Sequence, residues 1–120
     1  MKFSSALNFD CLDPRETLMI VSPGNLEDMV KYPQMCKARG IAYIFDPGQS
    51  LPMLAPQDLI QSIEGCRILI SNDYELGLIM SKTGFNKEAL LRRAGALIVT
   101  LGALGSQVFT PDCQISIPAV

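Results

Sequence analysis

The chain predicts an α/β fold built on a central, mostly parallel sheet, and three observations carry that prediction. Short and nearly continuous apolar runs, "TLMIVS", "IAYIFD", "RILISN" and "ALIVT", read as buried strands. Stretches of helical period separate them, the alternation that gives a parallel sheet with crossover helices. The last two segments, "SQVFT" and "QISIPAV", alternate as a half-exposed hairpin does, with Pro111-Asp112 turning the chain between them.

Each element has its own local reason. The first strand closes at Ser22-Pro23-Gly24, a loop signal. Asn25 then caps a helix whose Leu26, Met29, Val30 and Met35 share one side. Pro33 is expected to kink or divide that helix, and Gly40 to end it in the left-handed conformation. The second strand runs from Ile41 to Asp46 and opens into the loop "PGQSLPML". Pro56 suits a helix's first turn; Leu59, Ile60 and Ile63 form its inner face, and Gly65 closes it. After the third strand, "DYELGLIMSKTG" reads as a helix with Leu76, Ile79 and Met80 inward, ending at Gly84. Asn86 caps a further helix through Arg93, which Gly95 is expected to stop. Residues 1–16 show no steady period and read as an irregular lead-in to a single domain over 17–120.

Composition narrows the function. The chain has 120 residues, 48% of them apolar, and only 18% charged, where about 25% is usual. That sparseness predicts that some apolar surface meets more protein, either a partner or the missing remainder of a larger domain, and exposed sheet edges would allow self-association. A net charge of −2 and no basic cluster beyond Arg92 and Arg93 argue against nucleic acid. Those two arginines read as the solvated last turn of a helix, where cations suit the dipole. With no histidine and no C-x-x-C pair among Cys11, Cys36, Cys66 and Cys113, compact zinc sites are not expected and Ser-His or Cys-His nucleophiles are excluded. The opening "MKFSSALNFDCLD" lacks a signal peptide's apolar core, so a cytoplasmic, reduced protein is expected. No apolar run approaches the ~20 residues of a membrane span.

In open parallel sheets ligands sit beyond the carboxyl ends of the strands. Asp46, Asn72 and Thr100 end the second, third and fourth strands, so three separate segments bring polar groups to one edge. In "NDYE", Asn72 or Asp73 serves as a helix cap with Glu75 in the first turn; the same residues suit a magnesium–phosphate site, and both readings are compatible. In "TLGALG", Gly102 and Gly105 permit positive φ, either for a tight turn or for close approach of backbone to a ligand. Asp46 in "FDPGQSLPML" is a turn residue or a site residue.

Together these motifs resemble the ribokinase-like (PfkB) family of ATP-dependent sugar and nucleoside kinases. "NDYE" matches its N-x-x-E element and "VTLGALGS" its T-x-G-x-x-G segment. "FDPGQSLPML" looks like the nucleoside-phosphorylating subgroup, bacterial adenosine-kinase-type members included. The order and spacing agree over nearly all of residues 18–120. The resemblance implies a partial α/β/α sandwich. It implies that Asn72 and Glu75 organise Mg²⁺ and the phosphates of ATP, with Glu75 on the metal side. Thr100, Gly102 and Gly105 would line the nucleotide site, and Asp46 would lie near the phosphates. The acceptor in the intact enzyme would be a hydroxyl of a small sugar or nucleoside.

The departures are as informative. The N-terminal part that supplies the family's substrate-binding glycines and lid has no match here. No G-x-G-D occurs in the sequence, so the family's anion hole and catalytic base are absent and no catalytic residue is assigned. A general base is worth ~10²–10⁴-fold and a lost oxyanion donor costs ~10²–10³-fold. The isolated chain is therefore expected to be inert. The rival expectation is a non-catalytic truncated product or assembly fragment.

Overall fold

A computed structural model describes residues 13–119. The first twelve residues of the expected lead-in, Cys11 among them, lie outside the described residues; 14–16 form a turn, with Glu16 N–H donating to Asp13 O at 3.1 Å. The strands are β1 (Leu18–Val21), β2 (Ala42–Phe45), β3 (Ile68–Asn72), β4 (Ala96–Thr100), β5 (Ser106–Phe109) and β6 (Gln114–Ile117). Between them stand α1 (Leu26–Arg39), α2 (Pro56–Ile63), α3 (Asp73–Thr83) and α4 (Lys87–Arg93). All six strands form one sheet in the order β1-β2-β3-β4-β5-β6. The first four are parallel, and β5 and β6 close the sheet as an antiparallel hairpin.

The strand order never reverses, and that decides where the core sits. Right-handed crossovers that all advance in one direction place every helix on the same side of the sheet. Burial follows strand parity accordingly. Val21, Phe45, Leu69, Leu97 and Val99 point under the helices and are buried. Their neighbours Ile44, Ile68, Ile70 and Ile98 point the other way and are half-buried, while Ile20 is 66% and Ile115 52% exposed. Of the expected three-layer sandwich, the described residues build two layers.

Three local expectations change in the structure. Pro33 does not divide α1, which runs unbroken through it. Proline removes the N–H that would reach Met29 O four residues back. The buried Ser62 hydroxyl of α2 approaches that carbonyl instead, at the long end of hydrogen bonding, 3.5 Å. Gly95 is not the stop of α4, whose cap is the extended Ala94. A Cβ at Gly95 would lie 2.6 Å from Arg67 O, so glycine is needed there for contact with the entry to β3. Arg93 is not a solvated charge either. Its guanidinium lies 3.8 Å from the Phe85 ring centre and donates to Ala89 O at 2.9 Å, while Arg92 is exposed.

The layers are stitched by buried polar groups as well as by packing. The Tyr43 hydroxyl donates to Ser62 O at 2.6 Å and Glu64 O at 3.2 Å, tying β2 to the carbonyls at the end of α2. Burial, more than the neighbouring thiols, holds that phenol protonated and its pKa well above the ordinary value. Burial likewise pushes the Cys66 thiol up to about 12, so it behaves as a small apolar core residue.

Candidate functional site

The carboxyl ends of β2, β3 and β4 share one edge of the sheet. Asn72 and Thr100 are register partners on adjacent strands, so their Cα atoms sit side by side. Asp46 follows β2, and its N–H bonds to Val21 O at 2.8 Å, which carries the β1–β2 ladder one step further. Asp46, Asn72 and Thr100 all occupy the strand parity of the face without helices. The hydrophilic rim thus opens on that side.

Asn72 and Glu75 fill a complete capping box at the start of α3. Glu75 N–H donates to Asn72 Oδ1 at 2.6 Å, and Asn72 N–H donates to Glu75 Oε1 at 3.0 Å. The cap reading of "NDYE" therefore holds. It also leaves chemistry over. Asn72 uses its oxygen for the cap, so its two amide N–H donors are not part of the box. Glu75 is a carboxylate with two oxygens and commits one of them to the cap.

Asp46 lies beside this box. Its carboxyl is raised above the ordinary carboxylate value, first by burial and then by the Glu75 charge, against a hydrogen bond from Gly48 N–H that favours the anion. Two carboxylates from separate segments therefore lie near enough for the Glu75 charge to be felt at Asp46. A hard cation near both would relieve the repulsion.

The loop that carries Asp46 is shaped from outside. Residues Gly48–Met53, expected as a plain loop, form a 3₁₀ segment. Gly48 has φ +50°, and a Cβ there would lie 2.4 Å from Pro23 Cγ, so the loops after β1 and β2 interlock at a glycine. From the far end of α3, Lys82 Nζ donates to Leu51 O at 2.8 Å, to Pro52 O at 3.2 Å and to Leu54 O. One ammonium thereby gathers three loop carbonyls. Sequence reasoning missed Lys82, because a lysine in a helix's last turn announces only a favourable dipole contact.

Thr100 is exposed and leads into a short 3₁₀ turn, Gly102–Leu104. The two glycines of "TLGALG" have different reasons. Gly102 has φ +60° and open space where a side chain would begin. Gly105 has φ +95°, and a Cβ there would meet Ile117 O at 2.0 Å and Ala119 N at 2.7 Å. The hairpin packing by itself requires glycine at 105. Among the described residues no group of three or more His, Cys, Asp or Glu side chains could enclose a metal, and no helix is long and apolar enough to cross a membrane.

Comparison with known proteins bears on the fold. No family model matches the chain. A nucleoside kinase of Methanocaldococcus jannaschii is 38% identical over 76 residues, which are 63% of this chain and 25% of that protein. The structure of Burkholderia thailandensis nucleoside kinase in complex with ADP-inosine superposes with a TM-score of 0.83 at 38% identity, covering 86% of this chain and 32% of that one. The structure of the M. jannaschii enzyme, described as an archaeal member of the ribokinase family, gives a TM-score of 0.80 at 34% identity, covering 86% of this chain and 34% of that one. The chain spans about a quarter of the length of its curated relative and about a third of the solved chains. By sequence and by fold, this chain is similar to about a third of the length of the nucleoside kinases of the ribokinase family.

Proposed function

We propose that the chain is the phosphate- and metal-facing segment of an ATP-dependent nucleoside kinase, one that moves the γ-phosphate of ATP to a nucleoside hydroxyl in the intact cytoplasmic enzyme. The observation that carries the reading is the register pairing of Asn72 with Thr100 at the strand edge that also carries Asp46 and the capping-box Glu75. Supporting it, the relative from B. thailandensis was solved with ADP-inosine and with inosine.

Phosphoryl transfer rests on positioning and on electrostatic stabilisation of the moving group. In this reading Asn72 Nδ2 and the Thr100 hydroxyl donate to phosphate oxygens. The backbone at Gly102, with open space in front of it, lies along the nucleotide. Glu75 and Asp46 hold Mg²⁺, which supplies neutralisation of phosphate charge when bound. The capping box fixes the direction of Glu75, so the charge of α3's N-terminus and that of the carboxylate stay in one arrangement.

Acceptor binding, the anion hole and the base that deprotonates the acceptor belong to parts that this sequence does not contain. The isolated chain accordingly binds Mg-ATP but turns over no nucleoside. The test is thermal unfolding of the chain with and without millimolar Mg-ATP. A saturable rise in melting temperature is expected, since a native-state ligand at 100 times its Kd adds about 2.7 kcal/mol. No rise in a folded sample would remove nucleotide binding from the proposal.

A further inference from the structure

The loop between β2 and α2 is held by a charge from another element. Its 3₁₀ stretch, Gly48–Met53, is six residues long, where runs beyond three or four are uncommon because the hydrogen bonds are poor. Pro47 and Pro52 bring no N–H to it. The loop closes on itself where Ser50 N–H donates to Pro47 O at 3.1 Å and Leu54 N–H to Leu51 O at 3.2 Å. Lys82 supplies the outside support, at the carbonyls of Leu51, Pro52 and Leu54.

That ammonium has no competing task. A lysine in a last turn commonly serves the helix's own terminal carbonyls. In α3 the Thr83 hydroxyl already donates to Ile79 O at 2.7 Å and Gly84 N–H to Met80 O at 2.9 Å. Among the described residues no ion pair engages Lys82 either. Its three N–H donors match the three loop carbonyls one for one. At the start of the same loop, Gly48 N–H donates to the Asp46 carboxyl, and Gly48 is packed against Pro23.

We propose that Lys82 is a positioning residue: it clasps the 48–54 loop, and through Gly48 N–H that loop holds the Asp46 carboxyl at the rim where α3 begins. One helix of eleven residues, about 16 Å long, then sets two carboxylates. Glu75 is fixed by the capping box at its first turn, and Asp46 through the lysine of its last. The use of Asp46 toward a nucleotide rests on the kinase reading; the clasp does not.

Amide NMR of the full 120-residue chain tests this. Lys82→Met keeps the stem and removes the donors, whereas Lys82→Arg keeps the charge on a planar fork. Asp46→Asn supplies the position of the Gly48 amide when the carboxylate is gone. In Lys82→Met the Gly48 resonance is expected to move toward that position. The Ser50 and Leu54 amides should exchange about tenfold faster, as loss of one charged hydrogen bond implies, with β3 and β4 amides unchanged. Arginine should restore this only in part, because one planar fork does not converge on three carbonyls.

Unchanged Gly48 and loop amides in Lys82→Met overturn the clasp. So does exchange that quickens equally in the loop, β3 and β4, which would make Lys82 a general stabiliser. Full restoration by arginine overturns the three-carbonyl geometry. With Mg-ADP added, Lys82→Met is expected to raise the dissociation constant several-fold, and an unchanged constant with a loosened loop overturns the positioning role. A wild-type chain that binds no nucleotide removes the kinase reading, and the clasp is then decided by the amides alone.

Discussion

The two faces of the sheet are made by the same six strands and have opposite fates. On one, Phe45, Leu69 and Leu97 are fully buried beneath α1–α4. On the other, residues of equal hydrophobicity, Ile20 above all, meet no described layer. Hydrophobicity does not separate them. The direction in which the crossovers advance does, and the polar strand ends fall on the uncovered side. The difference teaches that here a face is assigned by topology and only then tested by composition.

The sharpest way to break that comparison is to truncate one residue on each face. Phe45→Ala should cost about 3–5 kcal/mol, as large-to-small changes in a packed core do. Ile20→Ala should stay within about 0.5 kcal/mol, the range of surface changes. Urea unfolding below the concentration of self-association measures both. Equal costs would mean that the second face is already covered.

The glycines of "TLGALG" sharpen the contrast at the rim. Gly105→Ala combines positive φ with a collision against the backbone of β6, so it should exceed the about 1–3 kcal/mol of a strained backbone position alone. Loss of β5–β6 amide protection would report it. Gly102→Ala meets open space and carries only the left-handed cost, about 1–2 kcal/mol. Next in size, Asn72→Ala removes half of the capping box and should cost about 1 kcal/mol in the same urea assay.

The smallest expected effect is a pH dependence. Burial and Glu75 raise the Asp46 carboxyl in the folded chain, so the folded state holds this proton more tightly than the unfolded state does. Its contribution is fully present below the ordinary Asp value of 3.8. It is lost as pH rises through the raised value. Stability should therefore fall slightly with pH across that window, and Asp46→Asn should flatten the slope. Mg²⁺ should flatten it too, because a cation favours the ionised pair. A slope of the opposite sign would contradict the raised Asp46 carboxyl.

Much of this was legible in the residues. The apolar runs marked all six strands, five of them to within a residue and the last overrun at its end, and Asn25, Asn72 and Asn86 each cap the helix expected of them. Local signals suffice for such elements because capping and strand period act within a few residues. What stayed hidden depends on distant partners. Pro33 is tolerated because Ser62, from another helix, reaches the carbonyl it orphans. Gly95 answers to Arg67 and Gly105 to Ile117. Lys82 organises a loop whose Leu51 carbonyl lies 31 residues earlier in the chain. The uncovered face was invisible for a different reason. Strands apolar on both sides read identically whether or not a second layer is present, and only their order reveals which side the chain can pack.

The central claim is that Asp46, Asn72, Glu75 and Thr100 form one phosphate-binding rim. Amide chemical-shift mapping of the labelled chain during a Mg-ADP titration tests it most directly. Saturable shifts are expected at residues 46–48, 72–75 and 100–103, the ends of three separate strands moving together. Shifts confined to the groove between α1 and the start of α2, around Leu26, Val30 and Leu54, would contradict it.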